Sequence, residues 1–137
     1  MPRARHMTSL AFVFGLSFGA PFSAQAQNAG AAWQSTPASI LKAALRNLVE
    51  AQDRYRVSHQ SYAKSTDALR LQPGADVRIQ ILSANAHGWR AKAMHRARPG
   101  RSCVVFVGQL GGLELPRTDG DGETAGEERV PLCDRME

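Results

Sequence analysis

Asp119, Asp121 and Glu123 alternate with Gly120 and Gly122, and Glu127 and Glu128 follow close behind. Hard cations take several oxygen ligands from a flexible, glycine-rich loop, so this run is chemically competent for calcium. Its spacing departs from the EF-hand loop, which adds further ligands and a closing glutamate. A solvated acidic loop accounts for the same residues without an ion. A second set of charges lies upstream. Side chains alternate across a strand, so Arg90 and Lys92 share one face. With Arg78 beside them they form a basic patch suited to an anionic surface: lipopolysaccharide, an acidic polysaccharide or an acidic partner protein. The competing reading is an arginine-rich face turned to water.

The groups that could do covalent chemistry are scattered. His59, His87 and His95 fall at a predicted helix end, a turn and a strand, and share no metal-ligand spacing. Ser61, Ser65 and Ser83 lie in no nucleophile-elbow context. Cys103 and Cys133 stand apart without a CxxC pair. No nucleophile–base–orienter constellation emerges, so the expectation is a protein that is not an enzyme. A small periplasmic enzyme is the weakest of the functional readings.

The formal charge of +5 and the isoelectric point near 9.9 resemble a nucleic-acid signature. The distribution argues otherwise. Arg3 and Arg5 belong to a predicted leader, the remaining basic excess lies between Lys42 and Arg101, and Glu114 to Glu137 is acidic. No aromatic residues interleave the arginines, and no nucleic-acid partner is expected.

Residues 1–26 read as a signal peptide. Arg3 and Arg5 give a basic start, and Leu10 to Ala20 is an apolar run too short to span a bilayer comfortably. Pro21 breaks that run, and Ser23-Ala24-Gln25-Ala26 supplies small residues for cleavage between Ala26 and Gln27. An uncleaved anchor is the alternative. The expected location is periplasmic or secreted, with no stable membrane span after cleavage. An exported domain of about 110 residues has a modest core, and an even cysteine count in an oxidising compartment favours a Cys103–Cys133 disulfide. That bridge closes a loop of about thirty residues and stabilises the fold by about 3–4 kcal/mol, mainly by restricting the unfolded chain.

The elements that must carry these groups follow from periodicity. Residues 27–36 form a small, polar lead-in containing Trp33. Thr36-Pro37 is a helix start: a hydroxyl cap, then proline where its missing N–H costs nothing. Ile40, Leu41, Ala44, Leu45, Leu48 and Val49 follow at helical spacing, with Gln52 and Tyr55 in the same phase, predicting an amphipathic helix to about Ser58. Val77, Ile79 and Ile81 alternate with Arg78 and Gln80, which predicts a half-buried strand. Trp89, Ala91 and Ala93 alternate with Arg90, Lys92 and Met94 in a second. Ser102 to Val107 is a denser β-branched run, the expected best-buried strand. Turn residues at Asn85–Gly88 and Pro99-Gly100 join them as an antiparallel meander. After Gly108 the composition is that of turns and loops, until Val130–Cys133 brings the chain back to the third strand.

Several segments together resemble the globular head of type IV pilins and pseudopilins. Ala51-Gln52-Asp53-Arg54-Tyr55, then Gln60-Ser61-Tyr62-Ala63 and Leu69, is similar to the stretch where those helices enter their connector. His87-Gly88-Trp89-Arg90-Ala91-Lys92-Ala93 resembles a glycine-tryptophan strand entry. Arg101 to Gly108, with Val130-Pro131-Leu132-Cys133-Asp134, is similar to the paired-cysteine C-terminal segment. The resemblance runs from Ile40 to Asp134. It implies a pilin-like fold, and it lends the calcium reading support, because some pseudopilins hold calcium near their C-terminus. The chain departs from filament-forming pilins at its start: Pro21 and an Ala-x-Ala site replace the prepilin-peptidase glycine and the long apolar helix with its early glutamate.

The expected fold is therefore α+β over residues 37–137, with one N-terminal helix packed on a three- to four-stranded antiparallel meander and a C-terminal disulfide loop. The expected function is that of an exported, non-catalytic binding or accessory domain, meeting an envelope or extracellular protein or an anionic polysaccharide. An atypical minor pilin or pseudopilin of a type IV pilus or type II secretion system is the alternative.

Overall fold

The computed structural model describes residues 36–136. The signal-peptide expectation, its cleavage near Ala26, and Trp33 lie outside the described residues.

Helix α1 spans Pro37–His59. The Thr36 hydroxyl accepts the Ser39 N–H at 3.2 Å, and Pro37 occupies the first helical position, as its fixed φ favours. The helix stops where Gln60 enters the left-handed region at φ 57°, its N–H returning to the Arg56 carbonyl at 2.8 Å. Leu41, Leu45 and Leu48 are completely buried along one face. Each such leucine stabilises the fold by about 1.5–3 kcal/mol relative to exposure.

Four strands follow: β1 (Val77–Ala84), β2 (Gly88–His95), β3 (Ser102–Gly108) and β4 (Leu132–Cys133). They form one antiparallel sheet in chain order, with a bulge in β1 between Ile81 and Ser83. The α+β expectation, with its helix, four strands and disulfide, is the fold observed. Alternation sets the two faces. Trp89, Ala91 and Ala93 of β2, with Cys103, Val105 and Val107 of β3, meet α1 in a single core. Alanines beneath the helix leave room for the leucines above, and the fully buried Trp89 packs at 6.4 Å, tilted, from Tyr62.

Two local devices hold the β1–β2 end. Asn85 Oδ1 accepts the N–H groups of His87 and Gly88 at 2.7 and 3.0 Å, closing an Asx turn. Gly108 has φ +73°, and a Cβ there would lie 2.1 Å from the His87 carbonyl, so only glycine fits the approach.

The segment after Gly108 is more ordered than its composition predicts. Thr118 and Ala125 donate N–H bonds to the Glu123 and Pro116 carbonyls at 2.9 and 3.0 Å, making a small hairpin. Pro116, Thr118 and Ala125 are buried. The hairpin lies on the sheet face opposite α1, because it contacts Arg90 and Lys92, which alternate with the core alanines of β2. The sheet is thus covered on one side by the helix and on the other by its own C-terminal segment.

Candidate functional site

The acidic run and the basic strand face meet each other. Arg78, Arg90 and Lys92 do share one face, since Arg78 pairs with Met94 while Gln80 pairs with Lys92. Lys92 Nζ lies 2.9 Å from Asp119 Oδ1, with both side chains largely covered. Arg90 donates through Nε to the Ser83 hydroxyl at 3.1 Å and through Nη1 to the Glu114 carbonyl at 2.7 Å. Arg78 stays exposed at the far edge. The expected open basic patch is therefore reduced: two of its three cations are engaged by the C-terminal segment, and Arg78 alone of the three faces solvent.

The calcium expectation at Asp119, Asp121 and Glu123 meets a different arrangement. Asp119 is taken by Lys92. Asp121 Oδ1 lies 2.6 Å from Arg101 Nη1, and its Oδ2 accepts the Arg135 N–H at 2.7 Å. The Arg135 N–H and the Arg101 guanidinium together hold the Asp121 carboxyl below its usual range. Glu123 contributes its backbone, its N–H donating to the Thr118 hydroxyl at 3.0 Å. Among the described residues no three His, Cys, Asp or Glu side chains gather where a metal ion could be held. Lys92 and Arg101 thus already lie against the carboxylates of Asp119 and Asp121.

The loop does bind an ion-like group, of the opposite sign. The carboxylate of Asp134, 3% exposed, sits under it. Asp134 Oδ2 accepts the N–H groups of Ser102 at 2.7 Å and Gly120 at 2.8 Å, and Oδ1 accepts that of Asp121 at 2.6 Å. Burial acts to raise the Asp134 pKa, but bonds from the Thr118 hydroxyl and these three amides prevail and lower it to about 2. Successive amides closing on an anion form a backbone nest. Ser102 completes the joint, its hydroxyl accepting the Asp119 N–H at 2.8 Å. Asp134 is next to Cys133, which pairs directly with Cys103 across β3 and β4 and is bonded to it. Disulfide, buried carboxylate and acidic loop are one structural unit.

A second cluster ties the loop to the helix end. Arg129 forms an ion pair with Asp53, and its N–H donates to the Phe106 carbonyl at 2.9 Å. The Arg56 guanidinium lies 5.2 Å over the Tyr62 ring. Asp53, Arg56, Val57 and Gln60 border an open hollow of about 470 Å³, with Val57 85% exposed.

The three histidines remain dispersed. His59 stacks on Tyr55 with ring centroids 3.8 Å apart. The His87 N–H is part of the Asx turn, and His95 Nδ1 accepts the Ala97 N–H at 3.1 Å. Among the described residues no helix is long and apolar enough to cross a membrane.

Sequence reasoning missed Gln52, Asp53, Arg129 and Asp134 as organising residues. Gln52 left a signal, being a polar residue in the apolar phase of α1. The Asp53–Arg129 pair, separated in sequence by the first three strands, left none. No protein-family model matches the chain, and a search among curated proteins finds no match.

Proposed function

We propose that this chain is an exported, non-catalytic binding or accessory domain built on a pilin-like plan. The observation that carries the reading is the joint at the end of the sheet. An amphipathic helix crosses an antiparallel meander, and Cys103–Cys133 pins the C-terminal segment back onto β3. A cross-strand disulfide of this kind persists in oxidising compartments, which agrees with the leader read from residues 1–26. The titratable groups favour the same conclusion. The carboxylates of Asp119, Asp121 and Asp134 each serve a structural contact, and the histidines stand apart. Binding then falls to exposed surfaces: the Arg78 side of the sheet and the hollow beside Val57.

Cell fractionation combined with shearing tests the proposal. A soluble protein in the periplasmic or culture fraction, absent from sheared filaments, supports it. Recovery in filaments or with the inner membrane would replace it with a minor pilin or pseudopilin role.

A further inference from the structure

Among the described residues β1 is the long free edge of the sheet. It pairs with β2 on one side only, whereas the opposite edge is capped by the short β4 and by the Arg129–Phe106 bond. The direction of its backbone groups follows from one bond. Arg96 donates its N–H to the Asp76 carbonyl, so Asp76, Arg78 and Gln80 turn their N–H and C=O toward β2. Val77, Ile79 and Ile81 turn theirs outward. The Val77 N–H is held by the Gly74 carbonyl, and among the described residues no backbone hydrogen bond from a loop reaches the outward groups of Ile79 and Ile81. Of the usual protections of an edge, these five residues carry only the charge of Arg78: there is no proline and no inward charge, and the bulge lies beyond Ile81.

The segment is also a palindrome in polarity. Val77-Arg78-Ile79-Gln80-Ile81 reads apolar, polar, apolar, polar, apolar about Ile79. Beside it, Ile40, Ala43, Leu71, Pro73 and Ile79 line a groove of about 300 Å³ on the helix side.

We propose that the occupant of this edge is a second copy of the chain, paired antiparallel about a two-fold axis through Ile79. In this register the Ile79 N–H groups of the two copies donate to one another's Ile79 carbonyls. Each Ile81 N–H meets the other copy's free Val77 carbonyl. On the helix side, Ile79 packs against Ile79 and Val77 against Ile81, and the two grooves abut. On the other face each Arg78 lies opposite the neutral Gln80 of the second copy, so no like charges oppose. The two four-stranded sheets become one, and a self-complementary patch of this kind closes as a dimer rather than growing into a fibre.

The test is sedimentation equilibrium of the oxidised, purified protein over a concentration series, repeated with Gln80→Glu and Gln80→Lys. Gln80 is exposed and faces away from the core, and its cross-strand neighbour Lys92 is already paired with Asp119, so both variants keep the fold, which the melting temperature of dilute samples verifies. The expected result is a monomer–dimer equilibrium. Gln80→Glu tightens it and Gln80→Lys weakens it, each by about two- to thirtyfold, because two symmetric cross-strand pairs change sign with the charge. Amides of Ile79 and Ile81 gain exchange protection as concentration rises. A monomer at every concentration would overturn the proposal. So would a dimer indifferent to the charge at position 80, or one weakened by both charges, as a two-fold axis through Gln80 requires. Edge protection seen only with a different protein would also overturn it.

Discussion

The Asp134 carboxylate accepts the Ser102 N–H at 2.7 Å, immediately beside the strand pair that Cys103 and Cys133 close. The side chain thus stands in for a ladder carbonyl and reaches past it to Gly120 and Asp121. Asp134→Asn keeps the shape but loses the charge and turns an NH₂ toward N–H donors. It is expected to cost about 2–4 kcal/mol in urea denaturation. Lys92→Met, which breaks the ion pair above it, is expected to cost less than about 1 kcal/mol.

The same carboxylate gives the fold an acid limit. A carboxyl whose folded pKa is depressed contributes stability that is present above its unfolded value and lost as pH falls through the folded value. For Asp134 the window runs from an unfolded value of 3.8 down to about 2. About 2 kcal/mol disappears across it. Melting temperatures of the native protein should fall steeply there, and those of Asp134→Asn should fall less.

Gln52 presents both ends of its amide to one residue. Its Nε2 donates to the Ala63 carbonyl and its Oε1 accepts the Ala63 N–H, each at 2.8 Å in full burial. A neutral amide is the group that satisfies donor and acceptor together. In Gln52→Glu the ionised form faces the Ala63 carbonyl without a proton to give, which raises the folded pKa of the new carboxyl. The stability of this variant is then present at low pH and lost as pH rises through that value. It is expected to be more stable near pH 5 than near pH 8 in chemical denaturation, opposite in sign to the acid response of Asp134.

Reduction separates the disulfide from the rest of the joint. With a sequence separation of 30 residues, opening Cys103–Cys133 is expected to cost about 3–4 kcal/mol. Hydrogen exchange should show the loss first at Gly120 and Asp121, whose amides depend on Asp134, and last in β2 beneath α1.

Local patterns made most of the fold legible. Thr36-Pro37, the helical spacing from Ile40 to Val49, and the alternation in β1 and β2 each encode an element within a few residues. The third strand and the disulfide followed from β-branched density and cysteine number. The stretch between Gly108 and Val130 was not legible, because its order comes from contacts between residues far apart in sequence: Lys92 with Asp119, Arg101 with Asp121, Asp53 with Arg129. Read locally, Asp119 to Glu123 is a set of free carboxylates, and Arg90 and Lys92 are free cations. The fold brings them together, and Lys92 and Arg101 pair with Asp119 and Asp121.

Export and the Cys103–Cys133 bridge are both read by the intact mass of the protein recovered from its own cells, alkylated with and without prior reduction. The expected result is a soluble species that begins at Gln27 and takes up alkylating reagent only after reduction. A species that keeps Leu10 to Ala20, or whose cysteines alkylate without reductant, would contradict it.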